Sequence, residues 1–175
     1  RLTRGDSHLN RRTVTPNNNE YQFDALIPAE MAARAEQVGV KKAHANVISM
    51  FVLAVLAGAF ISLGAIFSTS VTAGAGEALP YGITRLLAGL VFSLGLILVI
   101  VGGAELFTGN NLIVMAWASR KVSTALLLKN WLVVYAGNFV GAIATAALIF
   151  YSGQFAFGQG AVGAAALATA SGKTG

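Results

Sequence analysis

Gly102-Gly-Ala-Glu-Leu-Phe-Thr-Gly-Asn-Asn-Leu112 is the stretch that decides how this chain is built. Two adjacent glycines, a carboxylate, a threonine, a third glycine and two asparagines fall in eleven residues, preceded by LVFSLGLILVIV and continued by LIVMAWA. Unpaired backbone and carboxylate groups are costly in hydrocarbon, so polar residues inside an apolar run persist only where they are buried in protein or line a polar cavity. The stretch therefore reads as a break in a transmembrane helix. Length supports this, because Leu86 to Ser119 is thirty-four residues with Glu105 as the only charge. One straight helix of that length would measure about 50 Å against a hydrocarbon core of about 30 Å, and two full spans would need about forty residues. A span over 85–104, broken around Gly103 to Gly109 and resumed as a half-helix over 110–119, fits the count.

Composition places the rest of the chain around this break. Of 175 residues, 55% are hydrophobic and only 11% are charged, against about 25% charged in soluble domains. Residues 1–45 carry 7 of the 12 basic and 5 of the 7 acidic side chains, leaving seven charges in the other 130 residues. A short polar segment is thus followed by a membrane domain. The net charge of +5 fits retention of Lys and Arg on the cytoplasmic side, and no groove-reading or stacking motif accompanies it, so nucleic acid is not an expected partner. With no cysteine, disulfides and thiolate-ligated metals are excluded, and neither a cofactor nor a metal is expected.

Residues 1–24 read as a disordered polar tail, and 25–42 as a cytoplasmic amphipathic helix with Leu26, Ile27, Met31, Ala35 and Val38 near one face. That helix could lie on the membrane, plug a pore mouth or pack as a solvated helix. The membrane domain covers 43–153. Its first span is expected over 46–68, where Gly58, Gly64, Ala54, Ala57 and Ala59 allow another helix to approach closely. The third is expected over 130–151 and contains Gly137-Asn-Phe-Val-Gly141, a GxxxG whose Asn138 needs a buried partner. Basic residues cluster in the N-terminal segment and at 120–129 and are sparse at 70–82 and after 152, which puts the N-terminus in the cytoplasm. Residues 154–175, rich in Gly, Ala and Ser, read as a segment leading toward a second, inverted repeat.

GGAELFTGNNLIVMAWASRKVS and KNWLVVYAGNFVGA resemble the two signature stretches of the formate/nitrite transporter family, and the likeness extends over about residues 22–175. The flow from LPYG through FSLGLILV to GGAELFT most resembles the formate channels of bacterial inner membranes. The resemblance implies an all-α integral membrane protein: an aquaporin-like helical bundle with a broken second helix, six spans per subunit of which three fall in this sequence, and five subunits per ring. It also implies one pore per subunit for small monovalent anions such as formate, nitrite or hydrosulfide, passive or proton-coupled, and no enzyme.

By the same resemblance Phe92 and Leu96 match outer constriction residues, Leu106 an inner constriction, Thr108 a hydroxyl offered to the anion, and Lys173 an outer-vestibule lysine. Glu105, a carboxylate, is expected to accept hydrogen bonds from the broken backbone, with a proton relay as the other reading. Asn110 and Asn111 are expected to cap the half-helix or to touch the anion, while Phe107 and Gly109 complete the support of the break. The family's pore histidine comes from its second half, and neither His8 nor His44 lies where it could serve. The rival reading is a non-conducting three-span fragment with a structural or interaction role.

Overall fold

Asn46 starts the first long helix. Its Oδ1 accepts the backbone N–H groups of Ile48 at 2.9 Å and Ser49 at 3.2 Å, relieving two donors that a helix start leaves orphaned. The computed structural model describes residues 28–174. The polar tail 1–24 and the first residues of the expected 25–42 helix lie outside them. Within the described residues, α1 covers Pro28–Ala43, α2 Val47–Thr72, α3 Ala75–Ala78, α4 Tyr81–Val101, α5 Phe107–Asn110, α6 Ile113–Ala118, α7 Thr124–Tyr151 and α8 Ala161–Thr174, with a 3-10 turn at Gln154–Ala156 before α8.

Three described helices, α2, α4 and α7, are long and apolar enough to cross a membrane. The fold is an all-α integral membrane fold. The three pack through small residues. A Cβ on Gly58 or Gly141 would run into the backbone of the facing helix, and one on Gly137 would lie 2.5 Å from the Ala54 Cβ. On the other side of α2, a Cβ on Gly64 would lie 2.9 Å from the Phe92 carbonyl, and one on Gly95 2.7 Å from that of Phe60. Where lipid removes the hydrophobic drive between helices, such close backbone approach supplies the van der Waals contact that holds them. Ser68 adds one polar tie, its Oγ donating to the Ala88 carbonyl at 3.1 Å.

α1 does not stand apart from this bundle. Gly39 sits against Ile113 and Ala116 of α6, and Ala43, Ile113, Ala116, Val122 and Leu127 form one buried cluster. Glu36 and Lys121 close the contact with an ion pair of 2.8 Å.

Several boundaries differ from the sequence reading, each for a local reason. α2 continues to Thr72 rather than ending at Ser68, because nothing in Thr69-Ser-Val-Thr72 breaks a helix and two of its hydroxyls donate back into their own turn. α4 starts at Tyr81, directly after Pro80, with Arg85 already inside it. α7 starts at Thr124 rather than near 130: Ser123 caps it, its Oγ accepting the Leu126 N–H at 3.3 Å. The Gly/Ala-rich segment 154–175, to which the sequence reading assigned no helix, contains α8. Gly163 lets α8 approach the Phe155 carbonyl, where a Cβ would lie 3.0 Å away.

Candidate functional site at the helix break

α4 ends where Gly102 and Gly103 leave the helix, Gly103 with φ of +60°, a left-handed conformation open to glycine at little cost. Residues 102–106 are not helical, α5 then runs from Phe107 to Asn110, and α6 follows after a turn at 111–112. The half-helix thus resumes at Phe107, three residues before the expected 110, and it is interrupted once more. Its N-cap is Leu106, without a side-chain cap. Asn110 and Asn111 are therefore not its N-terminal caps. Asn110 ends α5 fully buried, whereas Asn111 is exposed in the following turn.

Neighbouring helices hold the released backbone. The Glu105 N–H donates to the Leu53 carbonyl of α2 at 3.1 Å, and the Phe107 N–H donates to Asn138 Oδ1 of α7 at 2.9 Å. The Phe107 ring turns toward α7, edge-on to Trp131 at 6.2 Å and to Tyr135 at 5.7 Å.

The Glu105 carboxylate takes a partner that the sequence reading did not assign. Rather than accepting from the broken backbone, its Oε2 accepts from Lys42 Nζ at 2.7 Å. Lys42 lies in the last turn of α1, where a cation also complements the helix dipole. Its ammonium donates as well to Asn110 Oδ1 at 2.8 Å. Asn110 Nδ2 donates to Asn130 Oδ1 at 2.9 Å, and Asn130 Nδ2 returns to the Lys42 carbonyl at 3.1 Å and reaches Met50 Sδ at 3.0 Å. Among the described residues, no buried side-chain nitrogen or oxygen lacks a partner. An ammonium has three donors, and these contacts engage two.

Lys42, Leu96, Glu105, Leu106, Thr108 and Gly109 share the lining of a cavity of about 440 Å³. The structure thereby brings together five of the expected site residues, Leu96, Glu105, Leu106, Thr108 and Gly109, with Lys42 paired to Glu105 beside them. Phe92 and Lys173 do not join this group. They line a second cavity of about 250 Å³ with Arg85, Ser68 and Thr169, and Phe92 lies one helical turn from Leu96 on α4. Phe107 and Asn110 face into protein behind the first cavity.

Lys42, Asn130 and Asn138 are the residues whose place sequence reasoning did not supply. A signal for Lys42 existed: one carboxylate in thirty-four apolar residues needs a cation, and few lie within reach of the membrane.

A family profile described as formate/nitrite transporter matches residues 29–175. This chain belongs to the formate/nitrite transporter family. Among its curated relatives, the formate channel FocA of Escherichia coli is 46% identical over 151 residues, covering 86% of this chain and 53% of that protein. FocA of Haemophilus influenzae is 41% identical over 157 residues, covering 89% and 55%. The chain thus spans about half the length of the relatives it matches. A solved structure, a pentameric formate channel with formate bound, superposes with a TM-score of 0.65 at 46% identity, covering 70% of this chain and 48% of that one. The matched range includes both GGAELFTGNNLIVMAWASRKVS and KNWLVVYAGNFVGA, and the break built by the first is the site described above.

Proposed function

We propose that this chain contributes the broken-helix side of a pore for small monovalent anions, formate before nitrite or hydrosulfide, passive or proton-coupled. One observation carries the reading: a cation, a hydroxyl and two leucines from three separate segments line one cavity at the break. A pore for anions needs donors that attract the anion without trapping it and apolar rings that exclude hydrated ions. Lys42 and Thr108 supply the donors, and Leu96 and Leu106 the apolar rim. Phe92 forms the outer constriction and Lys173, with the cavity it lines, the outer vestibule. The likeness to formate channels at 46% and 41% identity supports formate as the first substrate to test.

In this proposal α2, α4 and α7 each cross the bacterial inner membrane, the N-terminus is cytoplasmic, and the open side of the cavity faces a second, inverted set of spans to which residues 154–175 lead. The likeness to a pentameric channel supports a homopentamer. The test is flux into liposomes for formate, nitrite and hydrosulfide at two pH values, with Thr108→Val beside the wild type. Loss of the hydroxyl is expected to lower formate flux about tenfold with the oligomer intact, the equivalent of one hydrogen bond. Equal flux from intact oligomers would remove Thr108 from the anion path.

A further inference from the structure

We infer that Asn138 is the positioning residue that sets the geometry of the break, and through it the placement of Leu106 and Thr108 at the cavity. The inference rests on the pore reading above for its functional arm and on geometry alone for its structural arm. Asn138 lies on α7 inside Gly137-Asn-Phe-Val-Gly141. Its carboxamide makes three bonds: Oδ1 accepts the Phe107 N–H at 2.9 Å, and Nδ2 donates to the Ala54 carbonyl at 2.8 Å and to the Glu105 carbonyl at 2.9 Å. Two are to the break itself, on the residues either side of Leu106. The third anchors to α2. Only one orientation of the carboxamide satisfies all three, because an N–H must meet its oxygen and two carbonyls must meet its NH₂.

The glycines around it have a second consequence. Gly58 faces the Asn138 backbone so closely that a Cβ there would overlap its carbonyl, Gly141 does the same toward the Val55 carbonyl, and a Cβ on Gly137 would run into the Ala54 Cβ. This near-contact of α2 and α7 brings a side chain as short as asparagine within bonding distance of both α2 and the break. The GxxxG therefore does more than join two helices: it delivers a two-way hydrogen-bonding group to a backbone that lipid could not satisfy. Leu106 and Thr108 line the cavity, while Glu105 and Phe107 beside them are bonded to Asn138, so losing the carboxamide frees the flanking backbone and lets the two lining residues shift. Eight residues earlier on α7, Asn130 holds Asn110 at the other end of α5. The half-helix is thus gripped at both ends by one helix.

The test uses natively expressed protein reconstituted in liposomes, comparing wild type, Asn138→Leu and Asn138→Asp, and reading flux per assembled oligomer for formate and for the larger acetate. For Asn138→Leu, formate flux should fall at least about tenfold and the formate-to-acetate ratio should fall with it, while the assembled oligomer is retained. A purely structural asparagine would lower the yield of oligomer and leave both flux per oligomer and the ratio unchanged, and that result overturns the inference. Should Asn138→Leu fail to assemble, Asn138→Asp decides. Protonation of its carboxyl restores one donor, so its flux relative to wild type should rise as pH falls, and a constant ratio overturns the inference. Should the wild type itself pass no anion, the pore reading fails, and the inference is decided without flux. The chain has no native cysteine, so Leu106→Cys can report by its rate of modification with a small thiosulfonate reagent. Adding Asn138→Leu or Asn138→Asp should change that rate at least about fivefold, and an unchanged rate overturns the inference.

Discussion

Replacing Lys42 by methionine tests the electrostatics of the break most directly. The substitution keeps an unbranched apolar side chain one atom shorter, and removes the cation from the Glu105 carboxylate and the donor from Asn110. Truncating one partner of a fully buried pair costs about 3–5 kcal/mol, whereas exposed pairs contribute about 0.2–1 kcal/mol. Here the side chains are 28% and 17% exposed, which places the expected loss between these limits, at about 2 kcal/mol. For a chain of this size that corresponds to a fall of roughly 4–8 °C in the unfolding midpoint. The cost lies mostly in the abandoned carboxylate, so Lys42→Met combined with Glu105→Gln should recover about half of it, a coupling of about 1 kcal/mol. The assay is thermal unfolding of the purified oligomer for wild type, both single variants and the double variant, followed by size exclusion. A midpoint for Lys42→Met within about 1 °C of wild type, or strict additivity in the double variant, would refute the argument that this pair neutralises the break.

Two further outcomes follow from the packing and from the α1 contact. Gly58→Ala should cost about 1–3 kcal/mol or more through overlap with the Asn138 backbone and deplete assembled protein on size exclusion. Gly76→Ala, where nothing lies within 4 Å of the added Cβ, should leave assembly unchanged; equal behaviour of the two would refute the close-approach account. On α1, the Lys121 ammonium, with a further hydrogen bond from Ser119, holds the Glu36 carboxyl below its ordinary range. A carboxyl depressed in the folded state adds stability that is present above its unfolded value and lost as pH falls through its folded one. Docking of α1 should therefore loosen only in acid, below the usual glutamate range. Hydrogen exchange of α1 amides, corrected for intrinsic rate, should show this loss in wild type and a smaller one in Glu36→Gln; identical acid responses would sink the assignment.

The spans and the break were legible because the signal is local. A run of apolar residues long enough to cross hydrocarbon, and a cluster of polar ones where hydrocarbon forbids them, can be counted along one dimension. Boundaries were less legible. Lys129 bounds the charge-free run that marks the third span, yet Ser123 caps a helix that already starts at Thr124, and Asn130 is buried with partners from α1, α2 and α5: the Lys42 carbonyl, Met50 Sδ and the Asn110 side chain. α8 left little trace, since a Gly/Ala/Ser composition carries no strong periodicity and that helix is placed by contact with Phe155.

What the sequence by itself determined is therefore the class of fold, the location of the broken helix and the identity of half of the residues that line the cavity. Tertiary structure alone decided how the break is neutralised and held. Glu105 called for a partner and Asn138 for another, since neither group survives alone in hydrocarbon. Lys42 stands sixty-three residues from Glu105 along the chain, and Asn138 thirty-three beyond it. Lys42 meets Glu105 because α1 docks against α6 at Gly39, and Asn138 meets it because three glycines together set how closely α2 and α7 approach, neither of which can be read from a residue's own neighbourhood.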